Sequence, residues 1–380
     1  MKHLFLQLKN HAVFYLAAFG AILSMAAVPP AAVYLSYLNL PVLAILFCLM
    51  VVIGGLRESG VFSVILARLL LRLGTLRQLA GVLVFTCFFV SMWVTNDVAL
   101  LTFVPFTLLS MKNTASEKEL AVVIVLQTIA ANLGSMCTPV GNPQNLYLYF
   151  HYGLTLERFL FLLLPYTLAA LVLLLVFIFF LPQRPIALSA RLAARRARNL
   201  SLPASRRQLG VLGLLFFFSM LTVAHVLDYR VTLLVVCVLT AWTKPQYFRH
   251  ADYWLLATFV AFFILIGNLS QLTVFRQFLV SSLAGHEFLA AVVASQVISN
   301  VPAAILLSGF TGKAEDLLLG TDIGGLGTLI ASMANLISYG SFVRACPARQ
   351  GYFLKAFTVL NFAYLGILVL LAAGLRGVGL

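Results

Sequence analysis

Four polar clusters interrupt an otherwise apolar sequence, and they come as two matched pairs. Residues 91–106, SMWVTNDVALLTFVPF, align without a gap onto 295–310, SQVISNVPAAILLSGF, sharing Ser91/Ser295, Asn96/Asn300, Ala99/Ala303 and Phe106/Phe310. Residues 131–146, ANLGSMCTPVGNPQNL, align onto 321–336, TDIGGLGTLIASMANL, sharing Gly134/Gly324, Thr138/Thr328, Asn145/Asn335 and Leu146/Leu336. An asparagine amide offers donors to an anion and an oxygen to a cation. Hydroxyls and freed main-chain carbonyls suit a hard monovalent cation such as sodium. These types nominate Asn96, Asn300, Thr138, Asn142, Thr328 and Pro302 for a solute, and Thr95, Asn96, Asp97, Asn145, Ser299, Asn300, Asp322 and Asn335 for a coupling cation or proton. Sodium could sit at Thr95, Asn96, Gly141 and Asn142, and at Ser299, Asn300, Gly327 and Ser332.

Of eleven acidic residues, only Asp97 and Asp322 fall at membrane depth. An acid there costs about 2.5–3.5 kcal/mol on insertion scales, so each needs a compensating role. Proton or cation handling is one such role. Capping a helix is the other, because Asp97 follows a turn and Asp322 precedes a Gly-rich break. No zinc-protease, nucleophile-elbow, phosphate-loop or dinucleotide pattern occurs, which argues against an enzyme, and no cofactor other than sodium is expected. His151, His225, His250 and His286 sit near segment ends, where an interfacial place is expected, and the five cysteines show no paired spacing.

The elements that hold these residues follow from composition. With 62% hydrophobic and 9% charged residues and a mean hydropathy of +1.04, the chain reads as an all-α polytopic membrane protein. The net charge of +14 is dispersed between apolar segments, so nucleic acid is not an expected partner; the lipid bilayer is. Apolar spans run over 12–28, 39–56, 118–150, 158–181, 208–227, 231–243, 254–272, 314–343 and 351–375. With a cytoplasmic N-terminus, 20 of the 25 Lys and Arg fall inside and the C-terminus lies outside, in a bacterial cytoplasmic membrane. Pro29-Pro30 makes a poor cleavage site, so the first span is expected to remain uncleaved.

Two full crossings need about 40 residues. The stretch between Arg77 and Lys112 holds 34, and that from His286 to Gly312 holds 27, so each is expected to be a re-entrant hairpin with its Asn at the tip. Conversely, 118–150 and 314–343 are too long for one straight span and must break, near 138–143 and at Gly324 to Gly327. The expected architecture is about nine transmembrane helices plus two hairpins, in two inverted-topology repeats with two broken helices. In order it reads as a cytoplasmic N-terminus (1–11), a first repeat (12–182; hairpin about 78–111, broken helix about 118–150), a basic cytoplasmic linker (183–207), a connector helix (208–230) and a second repeat (231–380; hairpin about 286–312, broken helix about 314–343). Duplicated, interrupted hydrophobic segments are the best sequence pointer to a transporter's binding site.

The same residues resemble the ion transporter superfamily of divalent-anion/sodium symporters, citrate transporters and arsenite permeases. SMWVTNDVALLTFVPF and SQVISNVPAAILLSG are similar to its hairpins, and TPVGNPQNLYL and GTDIGGLGTLIASMANLI to its broken helices. In dicarboxylate members each tip carries Ser-Asn-Thr; here the tips are Thr95-Asn96-Asp97 and Ser299-Asn300-Val301, so the third hydroxyl is missing twice. Asn96-Asp97 and the placement of Asp322 are more like the arsenite permeases, whereas Gly141-Asn142-Pro143 leans toward the carboxylate branch. The resemblance implies a homodimer whose transport domain slides against a scaffold. The expectation is therefore a secondary transporter for a small anion or oxyanion (carboxylate, sulfate or arsenite class), coupled to sodium or protons through an elevator movement. The alternatives are a sodium/proton antiporter using Asp97 and Asp322 and, more distantly, a non-transporting sensor or membrane enzyme.

Overall fold

The computed structural model describes residues 12–70, 73–111, 115–186 and 204–376, and every named element among them is helical. The expected cytoplasmic N-terminus (1–11), most of the basic linker and the last four residues lie outside the described residues. Among the described residues, seven helices are long and apolar enough to cross a membrane: Leu40–Glu58, Leu76–Val94, Glu117–Ser135, Leu156–Phe179, Arg206–Val223, Tyr253–Gln271 and Pro347–Leu375. The count differs from nine for physical reasons. Ala12–Ser24 and Tyr229–Thr243 hold 13 and 15 residues, the broken segments divide into shorter helices, and one hairpin arm is itself long enough to span.

The first hairpin pairs Leu76–Val94 with Asn96–Met111, starting from a capping box between Thr75 and Gln78. The second pairs Glu287–Ile298 with Asn300–Ser308. The broken helices are Glu117–Ser135 with Pro143–His151, and Ala314–Gly324 with Met333–Ala345. Pro143 opens its half-helix at a position where the missing amide donor costs nothing.

The hairpins enter from opposite ends. Leu156–Phe179 is a 24-residue helix, about 36 Å long at 1.5 Å per residue. Near its start, Arg158 pairs with Glu315 at 2.7 Å, a few residues past the second hairpin, whose base is closed by Thr311 donating to Glu287 at 3.4 Å. Just past its other end, the Leu181 carbonyl accepts from Arg77 at 2.8 Å, at the base of the first hairpin. Most buried apolar residues form one continuous core around hairpins and broken helices. A smaller core, with Cys48, Val52, Leu212, Leu215, Val236 and Tyr247, joins Leu40–Glu58 to Arg206–Val223 and Tyr229–Thr243.

Candidate functional site

Each hairpin turns at one residue of unfavourable backbone geometry. Thr95 has φ 66° and Ser299 has φ 74°, equivalent positions in the duplication. With ψ of 147° and 153° they occupy a region that glycine alone enters freely, at about 1–3 kcal/mol each. The turn puts Asn96 and Asn300 first on the return helices, where each side-chain oxygen accepts from the next backbone amide, Asp97 at 2.9 Å and Val301 at 3.0 Å. Each tip then docks on a break at equivalent carbonyls. The Asn96 N–H donates to Gly141 O at 3.1 Å, and the Ser299 hydroxyl donates to Ala331 O at 3.4 Å.

The breaks are fastened to the outgoing hairpin arms. Thr138 donates to the Met92 carbonyl, and Thr328 to the equivalent Gln296 carbonyl at 3.0 Å. Gln296 secures the second break further, donating to Gly324 O and Leu326 O while accepting from the Thr328 amide. Gly327, at φ 95°, lies against this amide. Thr138 and Thr328, expected on the solute, thus spend their hydroxyls on structure.

Two buried centres tie the repeats together. In one, Asn132 accepts from Asn96 at 3.0 Å and from Ser332 at 3.3 Å, and donates to Asn335 at 2.8 Å. Asn335 in turn donates to the freed carbonyls Gly325 O and Thr328 O at 3.1 and 3.0 Å. In the other, Asp322 is hydrogen-bonded by Gln144 at 3.3 Å and more weakly by Asn142 at 3.5 Å, with the Asn145 side chain close by. The centres are equivalent by the sequence alignment: 132 matches 322, 335 matches 145, and 332 matches 142.

In front of these centres lies a cavity of about 130 Å³ lined by Asn96, Asp97, Ser299, Asn300, Pro302 and Ser332, with Asp252 and Trp254 toward its mouth. An adjoining cavity of about 230 Å³ reaches Thr95, Asn142, Arg57 and His250, and shares Asp97, Pro143 and Asp252. Asp252 also caps Tyr253–Gln271 by accepting from Leu255 at 2.9 Å. No Lys or Arg is among the described residues that line the first cavity. Six nominated residues therefore share one cavity, Thr95 and Asn142 flank it, and Asn145, Asn335 and Asp322 lie buried behind it. Gly141, Gly327, Thr138 and Thr328 hold the breaks. Sequence reasoning missed Asn132, Gln296 and Asp252. Asn132 had a usable signal, for it stands opposite Asp322 in the alignment, but the pair is not identical and escaped notice.

The two sets nominated for sodium are largely satisfied by protein donors. The Gly141 carbonyl accepts from Asn96, Asn142 Oδ1 from Ser135 at 3.0 Å, and Asn300 Oδ1 from Val301. The buried side-chain oxygens without a hydrogen-bond partner here are Asp97 Oδ1, Asn145 Oδ1 and Asp322 Oδ2.

Paired hairpin tips and helix breaks facing one polar cavity inside a helical bundle define a membrane transporter of the broken-helix type. Residues 6–312 match the citrate transporter family, and the chain belongs to it. It is 29% identical over 295 residues to the uncharacterized transporter MJ0456 of Methanocaldococcus jannaschii, covering 77% of this chain and 78% of that one. It is 32% identical over 296 residues to the inner membrane protein YbiR of Escherichia coli K12, covering 76% of each. A shorter match, 34% over 136 residues, covers 35% of this chain and 27% of the silicon efflux transporter LSI3 of Oryza sativa subsp. japonica. The family and the transporter-named relatives are carriers, not enzymes.

Proposed function

We propose that this protein is a secondary transporter for a small oxyacid taken in its uncharged, hydroxyl-bearing form, coupled to a sodium or proton gradient. One observation carries the reading: the cavity between the two tips combines amide groups of Asn96 and Asn300 with the carboxylates of Asp97 and Asp252 and, among the described residues, no basic side chain. Carboxylates repel a dicarboxylate or sulfate but accept hydrogen bonds from the hydroxyls of a neutral acid. Among the solute classes expected from sequence, that favours the arsenite class, since arsenous acid is uncharged near neutral pH. The missing third hydroxyl at both tips and the name of the silicon-exporting relative point the same way. The tips would alternate between faces by an elevator movement of the hairpin core against the small core, within a homodimer. The division of the buried apolar residues into two cores, with helix Leu40–Glu58 contributing to both, supports it. The cavity mouth, beside Asp252 and His250, would face the cytoplasm of a bacterial inner membrane, in keeping with the basic residues on that side.

The test is flux in proteoliposomes of arsenite, silicic acid, citrate and sulfate under imposed sodium or pH gradients. The expected result is movement of a neutral oxyacid that Asn96→Ala with Asn300→Ala abolishes; citrate flux unaffected by that pair overturns the reading. Sodium/proton antiport through Asp97 and Asp322 is the second reading, favoured by the partnerless Asp97 Oδ1. Sodium-evoked currents without any oxyacid, lost in Asp97→Asn, would establish it.

A further inference from the structure

The two cross-repeat centres are built alike but differ by one charge. At the first, Asn132 is neutral and its amide is used on both sides, by Asn96, Ser332 and Asn335. At the second, the equivalent residue is Asp322, only 2% exposed, with no basic side chain paired to it among the described residues. Amides of Asn142, Gln144 and Asn145 approach the carboxylate, yet Oδ2 has no partner, and neither does Oδ1 of Asn145, which is fully buried. Two buried acceptors lacking donors, one of them on an uncompensated carboxylate, make an energetically open arrangement. A buried charge persists only when it is paired, coordinates a metal ion or is neutralised by a proton.

We infer that Asp322, with Asn145 from the opposite repeat, forms a coupling-cation site of this transporter, and that the Asn132 centre is its neutral counterpart, locked by hydrogen bonds and carrying no ion. The ligand is one monovalent cation held by oxygen, either sodium or a proton. A divalent ion would need several carboxylates, and no group of three or more His, Cys, Asp and Glu side chains occurs among the described residues. The cation enters from the solute cavity, since Asn142 and Gln144 contact Asp322 on one side and flank Pro143, which lines that cavity, on the other. The site joins the broken helices of both repeats, so occupancy would tie the second break to the first. The inference rests on the transport reading for its role, but the binding itself is measurable without transport.

The experiment uses the purified full chain in detergent, with no oxyacid present. Equilibrium binding of radioactive sodium is measured against choline, and the infrared carbonyl band of a protonated carboxylic acid is recorded in parallel. Sodium binding of one equivalent that falls at least about tenfold in affinity (~1.4 kcal/mol) in Asp322→Asn supports the sodium form. A protonated-carboxyl band that disappears in Asp322→Asn, in protein that binds no sodium, supports the proton form. Sodium binding unchanged in Asp322→Asn, or neither signal in the unaltered protein, overturns the proposal. Should Asp322→Asn fail to give a monodisperse protein, Asn145→Ala reads the same site, with sodium affinity or the position of the carboxyl band expected to change and no change counting against the proposal. Loss of oxyacid flux with sodium or proton binding intact would refute the solute reading alone.

Discussion

Two fully buried asparagines should respond in opposite ways to the same substitution. Asn132→Leu removes a residue holding three side-chain hydrogen bonds, to Asn96 at 3.0 Å, Asn335 at 2.8 Å and Ser332 at 3.3 Å. The Ser332 hydroxyl can rotate toward another acceptor, but Asn96 Nδ2 and Asn335 Oδ1 would be left buried without partners. At about 1–3 kcal/mol for each orphaned group, the cost is about 2–6 kcal/mol. Asn361→Leu differs. Asn361 makes one bond, back to the Phe357 carbonyl four residues earlier, and its own Oδ1 already lacks a partner. Its replacement removes an orphan and leaves behind only a carbonyl within its own helix, so stability should be unchanged or raised by about 1 kcal/mol. Reversible unfolding in mixed micelles, followed by tryptophan fluorescence, compares the two directly. The gap should be at least about 2 kcal/mol, near thirtyfold in the unfolding constant. Equal losses in both variants would refute the account of Asn132 as a node between repeats.

Gly134→Ala should destabilise more than Gly324→Ala in the same assay. An added Cβ at Gly134 meets the Phe88 carbonyl oxygen at 2.1 Å, while at Gly324 it meets the Ser295 side chain at 2.8 Å, so about 3 kcal/mol or more against about 1–2 kcal/mol is expected. Thr95→Gly should relieve positive-φ strain and raise stability by about 1 kcal/mol, yet lower oxyacid flux by removing a hydroxyl at the cavity wall; a loss of stability would refute the strain argument. The half-exposed pairs Arg158–Glu315 and Arg349–Glu117 should show coupling below about 1 kcal/mol in double-mutant cycles, fading with salt.

Much of the architecture could be read from residue spacing, because membrane depth converts length into topology. Thirty-four residues between Arg77 and Lys112 are too few for two full crossings, and the hairpin Leu76–Val94 with Asn96–Met111 turns at the expected tip. The breaks were legible from Pro143 and from Gly324 to Gly327, where a continuous helix is impossible or costly. Identity between the repeats found Asn96, Asn300, Asn145 and Asn335 but carried no information about direction. Thr138 and Thr328 recur for fastening breaks to hairpin arms, which spacing alone cannot separate from binding a solute. Asp252 could not be found at all, since it reads as an ordinary helix cap and reaches the cavity only through packing of Tyr253–Gln271.

Each break is satisfied from within its own half by an asparagine that also contacts the other half. Gly325 O and Thr328 O are taken up by Asn335, whose orientation is fixed by Asn132 of the first repeat. In the mirrored case, Asn145 reaches Met136 O at 3.4 Å within its own repeat while it also meets Asp322 of the second. Water that would otherwise satisfy such groups is absent from a lipid interior, so each freed carbonyl left alone would cost several kcal/mol. Duplication therefore gave more than symmetry. It set the asparagine that satisfies each break against a polar side chain of the other repeat, and the cavity sits beside that junction. Divergence of one of the two equivalent positions, Asn132 and Asp322, could then alter charge at the junction without disturbing the amide contacts that hold the breaks open.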